Sequence, residues 1–304
     1  MPKLLITGSA GFLGANAYTW LRRQGHDVTG VDIEPGPTVD YCMDVREFAR
    51  VMNVDYDAIL HFAAFVKGRD NIENQFVQMM SNVDIDTAVI DYATKHTGHL
   101  VYPSSSAVYP VMYQGTEPVK LSESMVDLSA STLGMPDHIY GWTKLSAERL
   151  LYEVHCNHRL KITVFRPFSG YGPGQTEDYP VPNLVRMIIA EPDQVKVWGD
   201  GKQTRDFVYV TDIMRCLDWS LVHEHDYLSL NIGSGVATSF RSVIEIVYHH
   251  FYGRKPAHIN TLMDKPVGVT NRVADISQLT QFGLRPDISL EHGLDMFICH
   301  YTNS

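Results

Sequence analysis

Short apolar runs alternate with longer amphipathic stretches through the first half of this chain. Lys3–Thr7 is an apolar run that predicts a strand, and Phe12–Arg23 predicts a helix closed by Gly25. Residues 28–33 and 58–62 are again strand-like, a helical stretch covers about 83–95, and His99–Pro103 and residues 162–166 predict further strands. Strands separated by helical stretches are joined by right-handed crossovers, which gives a parallel sheet with helices on both faces. Past residue 167 the pattern becomes irregular. Glycines and prolines cluster at 170–182, and short strands are expected near 195–198 and 207–210. The expected organisation is an α/β doubly wound parallel sheet over residues 1–166 and a smaller C-terminal α/β region over 167–304, interleaved with the first.

Composition narrows the partners. The 304 residues are 44% hydrophobic and 20% charged, ordinary for a globular protein with a full core. A net charge of −10 argues against nucleic acid or an anionic membrane as partner, while leaving room for a local basic pocket. Cys42, Cys156, Cys216 and Cys299 have neither CxxC nor zinc spacing and read as reduced thiols of a cytoplasmic protein. The run His223-Glu224-His225-Asp226 reads as a polar link rather than a metal site. The apolar start, Leu4-Leu5-Ile6, is too short for a targeting core, and no apolar run approaches membrane-spanning length.

Candidate chemistry begins where the first strand runs into Gly8-Ser9-Ala10-Gly11-Phe12-Leu13-Gly14. Gly8 permits a sharp turn, Gly11 lets backbone approach a pyrophosphate, and Gly14 lets the helix pack closely, so that the helix amino end faces the phosphates. Asp32 ends the second strand 18 residues after Gly14, where a carboxylate binds both adenosine ribose hydroxyls and repels a 2′-phosphate. NAD is therefore expected over NADP, with Asp44 and Val45 placed to bracket the adenine. Tyr140 and Lys144 lie one helical turn apart, downstream of Ser104-Ser105-Ser106, which follows a strand at the carboxyl edge of the expected sheet. A free phenol titrates near ~10, too high for a base at neutral pH, and a neighbouring ammonium stabilises its phenolate. This set suits proton removal from a carbinol as hydride leaves for a nicotinamide.

Together these motifs resemble the extended short-chain dehydrogenase/reductases of the NAD-dependent nucleotide-sugar epimerase/dehydratase family, which have a Rossmann fold. The likeness runs through residues 7–14, His61-Phe62-Ala63-Ala64, Asn82, residues 104–109 and 140–144, Arg166-Pro167, Tyr171-Gly172-Pro173-Gly174, residues 198–212 and 231–235. It implies NAD contacts from Gly8, Gly11, Phe12, Leu13, Gly14, Asp32, Asp44, Val45, Phe62, Ala63, Ala64, Asn82, Tyr140 and Lys144. The family's catalytic hydroxyl stands four residues before the tyrosine of Val108-Tyr109, which selects Ser105, with Ser106 beside the substrate. The resemblance also assigns Lys67 and Ser169 to the substrate. Arg205, in Gln203-Thr204-Arg205-Asp206, would grip the nucleotide diphosphate, and Arg272 would stand in for a second arginine whose usual place reads Lys265-Pro266-Val267-Gly268.

Departures from the family pattern carry information too. After Ser105 comes Ser106-Ala107-Val108, without the carboxylate of dehydratases or the cysteine of 3,5-epimerases, which points to chemistry at C4 alone. Ser105 and Tyr140 are 35 positions apart, longer than the family usually has, so residues 127–136 are expected to form an inserted loop near the sugar. The function implied is an NAD-dependent 4-epimerase of a nucleotide-diphosphate sugar, a UDP-hexose first. A dehydratase or 4-ketoreductase is the alternative within the family, and an NAD-sensing binding protein the alternative from another class. The family also implies a homodimer, paired through helices near 83–95 and 140–155.

Overall fold

Strand β1 (Lys3–Thr7) has four successive side chains, Leu4 to Thr7, at most 1% exposed, the signature of a central strand covered on both faces. It pairs in parallel with β2 (Asp27–Asp32) on one side and β4 (Ala58–His61) on the other. The computed structural model describes residues 1–66, 76–223 and 225–303. Its largest sheet has seven parallel strands in the order β12-β7-β5-β4-β1-β2-β3, completed by β3 (Tyr41–Cys42), β5 (His99–Pro103), β7 (Lys161–Pro167) and β12 (Tyr227–Ile232). From β1 the chain first builds outward through β2 and β3, then returns to build the other way from β4. That reversal opens a crevice at the carboxyl ends of β1 and β4, the place where open α/β sheets bind ligands. The doubly wound parallel sheet expected from the alternating pattern, and the Rossmann fold implied by the resemblance, are what the structure shows.

Alternation along each strand splits the core in two. Leu4, Ile6, Leu60 and Phe165 face one layer, formed by α1 (Phe12–Arg23), α5 (Pro180–Ala190), α6 (Val210–Val222), α7 (Phe240–Tyr252) and α9 (Leu290–Asn303). Leu5, Ile59, Leu100 and Val164 face the other, formed by α2 (Val45–Val51), α3 (Phe76–His96) and α4 (His138–His158). Helix α3 starts before the expected residue 83: its opening positions Phe76, Val77 and Met80 are exposed, and its buried stripe begins only at Met79 and Asn82. Val210, expected to end a strand, instead begins α6, with Asp212 in the first turn accepting from the backbone of Asp287 and Ile288.

The two stretches of chain exchange strands. β12 joins the large sheet, while β6 (Lys120–Leu121) joins a smaller sheet ordered β13-β10-β15-β6, with β13 (Thr238–Ser239), β10 (Thr204–Arg205) and β15 (Asn271–Ala274). Two parallel pairs, β8 (Ser169–Tyr171) with β11 (Phe207–Tyr209) and β9 (Lys196–Trp198) with β14 (Asn260–Leu262), and the short α8 (Ser277–Gln281) complete this side. No helix among the described residues is long and apolar enough to cross a membrane.

A buried ion pair ties α4 to β7. Arg166 donates from Nε and Nη2 to the two carboxylate oxygens of Glu148 at 3.0 and 2.6 Å, and from Nη1 to the Tyr109 hydroxyl at 3.3 Å. Burial alone would lower the Arg166 pKa, but Glu148 outweighs it and the guanidinium stays charged. Removing one member of such a pair strands the other charge. Glu148→Ala should therefore cost about 3–5 kcal/mol in denaturant unfolding, and a loss below about 1 kcal/mol would show that the pair does not hold α4 in place.

Candidate active site

The glycine turn leaves β1 with Gly8 at φ +70°, its N–H donating to Val31 O at 2.8 Å. A Cβ there would lie 2.5 Å from Ala63 N, and one on Gly14 would lie 2.0 Å from Gly8 O, so neither position admits a side chain. Helix α1 is capped by Gly11, which has no side-chain acceptor, and its first turn holds no carboxylate. The amides of Phe12, Leu13 and Gly14 have no intrahelical acceptor, which makes this helix end an anion cradle. Asp32 closes the rim: Oδ2 accepts from Ala10 N at 2.9 Å and Oδ1 from Glu34 N at 3.0 Å. Each oxygen keeps a lone pair for a ribose hydroxyl. Asp44 caps α2 and is chelated by Arg46, which holds its carboxyl below the usual range, while Val45 is buried in the first turn.

Segment 62–66 lies over the carboxyl ends of β1 and β4. Phe62 N donates to Thr7 O at 2.9 Å, and Ala63 N to Thr7 Oγ1 at 3.3 Å. Asn82, fully buried on α3, grips Phe65 at both ends, accepting from its N–H at 2.6 Å and donating to its carbonyl at 3.0 Å. Ala64 is partly exposed within this held segment. Lys67 lies outside the described residues.

Beyond β5 the three serines differ. Ser104 and Ser106 are each 5% exposed, whereas Ser105 is partly open and caps a single 3₁₀ turn, Ser106–Val108, accepting from Ala107 N at 3.1 Å. The carbonyl of Ala107 accepts from Asp137 N at 2.9 Å, and a Cβ on Gly141 would come within 2.4 Å of the same oxygen. This contact seats the first turn of α4 on the serine turn and brings the Tyr140 phenol near enough for Ser105 to act on it. His138, at the start of α4, adopts a left-handed φ of 55°, a conformation that costs a non-glycine residue and is found most often at functional sites. Burial, and then the nearby Tyr179 phenol, push the Tyr140 pKa above its ordinary value, while Ser105 pulls it down. Lys144, 4% exposed, donates to the Tyr102 hydroxyl at 3.1 Å and to Pro103 O at 3.0 Å. Burial lowers its pKa, and Asp86 and Glu148 offset part of that fall.

In the smaller sheet, Arg205 on β10 stands in register with Arg272 on β15. Arg205 donates to the carbonyls of Thr204, Val269 and Val267 at 2.7, 2.9 and 3.2 Å. Arg272 donates to Gln114 Oε1 and to Asp137 Oδ2, both at 2.6 Å, which links the small sheet to the start of the Tyr140 helix. Asp206, beside Arg205 in sequence, is fully buried and accepts from Ser234 N and Oγ, Gly235 N and Ala274 N. Ser169 opens β8, its N–H bonded to Asp206 O at 2.8 Å. In the stretch 127–136, Asp127 turns back on Ser129, Leu128 O accepts from Arg149, and Met135 O accepts from Val111 N.

Two groups that act on the Tyr140 phenol escaped the sequence reading. Tyr179 lies in the irregular glycine- and proline-rich stretch, where no period marks it. Asp86 was legible in principle: the buried stripe of α3 runs Met79, Asn82, Asp86, Val89, Ile90, Ala93, and a carboxylate in an apolar stripe needs a partner.

A profile of the NAD dependent epimerase/dehydratase family matches residues 4–233. The chain is 30% identical over 322 aligned positions to the UDP-glucuronate 4-epimerase of Thermodesulfobacterium geofontis, covering 97% of this chain and 94% of that one. Among solved structures it is similar to MoeE5 in complex with UDP-glucose and NAD, at 28% identity and a TM-score of 0.82, covering 99% and 100% of the two chains. It is also similar to the UDP-glucuronic acid 4-epimerase of Bacillus cereus in complex with UDP-glucuronic acid and NAD, at 25% identity and a TM-score of 0.82, over 99% of each chain.

The glycine cradle and the uncapped end of α1 fit the pyrophosphate of NAD, and Asp32 fits its adenosine ribose. Asp32→Asn keeps an acceptor oxygen while removing the charge that opposes a 2′-phosphate. The variant should bind NAD several-fold more weakly and NADP more tightly than wild type. Titration with each cofactor checks this, and a wild type that prefers NADP would overturn the role of Asp32.

Proposed function

The chain belongs to the NAD-dependent epimerase/dehydratase family, and from that premise we propose that it is a 4-epimerase of a UDP-hexose. The observation that carries this reading is the placement of Tyr140 one helical turn before buried Lys144, which is held at the carboxyl end of β5 where Ser105 stands partly open. Tyr140 takes the C4 hydroxyl proton, Ser105 holds the same oxygen, and the charge of Lys144 favours the phenolate. Bound NAD supplies the acceptor and donor of hydride at C4. The 4-keto sugar turns in the cleft, and Tyr140 returns the proton once the opposite face of C4 is presented. Orientation and charge are what the protein contributes. The turn after Ser105 offers Ser106, Ala107 and Val108, all buried, and so no second acid or thiol for elimination or for inversion at other carbons. Relatives acting on UDP-glucuronate and UDP-glucose favour a UDP-sugar.

Residues 1–166 are assigned to cofactor binding and 167–304 to the nucleotide sugar, with Arg205 on the diphosphate and Ser169 and Ser106 lining the sugar side. Asp44 and Val45 are assigned to the adenine edge, and Arg272 to holding the start of α4 through Asp137. Exposed free thiols at Cys42, Cys156 and Cys299 fit a reducing cytoplasm. Helices α3 and α4 pack together on the outside of the sheet and expose Phe76, Val77, Met80 and Trp142. Paired with their copies about a two-fold axis, they would form a four-helix contact, so the protein is assigned as a homodimer.

Incubation with NAD and a panel of UDP-, GDP- and dTDP-sugars tests the reaction. Unchanged mass with inversion at C4 is the expected result, and loss of water would replace the epimerase by a dehydratase. Tyr140→Phe should lower the rate by roughly 10²–10⁴-fold with NAD affinity nearly intact, and a variant keeping more than a tenth of the wild-type rate would remove Tyr140 as the base. Sedimentation equilibrium at micromolar protein should report a dimer, whereas a monomer alone would remove the helix-pair assignment.

A further inference from the structure

Beneath the Ser105, Tyr140 and Lys144 set, one line of buried hydrogen bonds crosses five elements. Thr7 Oγ1 of β1 lies 2.7 Å from His61 Nδ1 of β4, and His61 Nε2 lies 3.1 Å from Asp86 Oδ1 of α3. Tyr102 of β5 donates its hydroxyl to Asp86 Oδ2 at 3.0 Å, and Lys144 of α4 donates to the Tyr102 oxygen at 3.1 Å. All five side chains are at most 4% exposed.

With Asp86 a carboxylate and His61 neutral, the donor and acceptor roles follow along the line. Asp86, as a carboxylate, accepts from Tyr102 and from His61 Nε2–H. The His61 Nδ1 is then an acceptor, served by the Thr7 hydroxyl, whose oxygen in turn accepts from Ala63 N–H at 3.3 Å. Having given its proton to Asp86, the Tyr102 oxygen is left to accept, and Lys144 fills that role as an ammonium. Every bond is satisfied with Asp86 negative and Lys144 positive. A buried network of this kind is strong when complete and costly when broken.

The groups facing this line are Tyr140, Lys144 and Glu148 from α4, Tyr102 from β5, His61 from β4 and Thr7 from β1. Two carboxylates act on Lys144, those of Asp86 and Glu148. Glu148 is already engaged through both oxygens by Arg166. The counter-charge for Lys144 therefore falls to Asp86, delivered through the Tyr102 hydroxyl.

We propose that Asp86 is a positioning residue for the catalytic pair: acting through Tyr102, it keeps Lys144 protonated and aimed, and so sets the pH range in which Tyr140 works as a base. The idea rests on Tyr140 as the base in the reading above. The sign follows from the charges. Without the Asp86 anion, Lys144 loses its proton at lower pH, and the phenol of Tyr140, no longer repelled by that anion, also ionises at lower pH. Both limbs of a bell-shaped profile move in the acid direction.

The test is a pH titration of the Lys144 Cε resonance in ¹³C-lysine-labelled protein, assigned by its loss in Lys144→Arg, with and without NAD. In Asp86→Asn the Lys144 pKa should fall by about one unit or more, and the kcat profile should shift to lower pH. An unchanged Lys144 titration, or a profile lowered uniformly with both limbs in place, would overturn the proposal and leave Asp86 a structural residue. If Asp86→Asn does not fold, Tyr102→Phe, which keeps the charge but cuts the bridge, is titrated in the same way. A fallen Lys144 pKa supports the relay and an unchanged one overturns it. Because the titration needs no sugar nucleotide, a failure of the epimerase assignment would show in the substrate panel without moving the Lys144 result.

Discussion

Helix α4 carries Tyr140, Lys144 and Glu148 at successive four-residue spacings, and that single stripe is driven into the carboxyl ends of β5 and β7. Tyr140 is partly exposed, and burying Lys144 and Glu148 behind it is tolerable only because each finds a partner: Tyr102 and Pro103 for the ammonium, Arg166 for the carboxylate. The seat that makes this possible is small. Gly141 has no side chain, and the Ala107 carbonyl fills the space while also accepting from Asp137 N. Anything that lifts the helix from that carbonyl moves Tyr140 away from the serine turn and, one turn later, unpairs a buried cation.

Charge is managed locally against the overall field. A chain of net charge −10 repels a dinucleotide and a sugar diphosphate at long range. The structure offers a short-range device in the uncapped amino end of α1, which fits the dinucleotide's pyrophosphate. Asp32 turns the repulsion to use, since the carboxylate that suits two ribose hydroxyls is poorly placed beside a 2′-phosphate. Asp86 carries a negative charge inside the core, where it offsets part of the fall that burial imposes on the Lys144 pKa.

The large sheet was legible because its signals are local. Continuous apolar strands such as Lys3–Thr7 and His99–Pro103, punctuated by glycines, have no other stable home than a parallel sheet covered on both faces. The start of α3 was not legible, since Phe76, Val77 and Met80 face outward and carry no core period. The smaller sheet was missed as a sheet for a related reason. Strands two residues long, such as Lys120–Leu121 and Thr204–Arg205, hold no periodicity and exist only because distant segments bring their partners to them.

The sequence by itself determined the chemistry on offer: a glycine turn that admits no Cβ, an acid ending β2, and a Tyr-x-x-x-Lys pair whose helical spacing puts both on one face. These are properties of backbone sterics and of fixed offsets along one element. The family resemblance had already singled out Ser105 among three adjacent serines; tertiary structure added that it is the partly exposed one while Ser104 and Ser106 are buried. It likewise decided that Arg272 pairs with Asp137, 135 positions away, and that Lys144 reaches Asp86 through Tyr102. Such pairings depend on which side chains the folded sheet places within hydrogen-bond reach, and a hydrogen bond is lost over an ångström that no sequence spacing records.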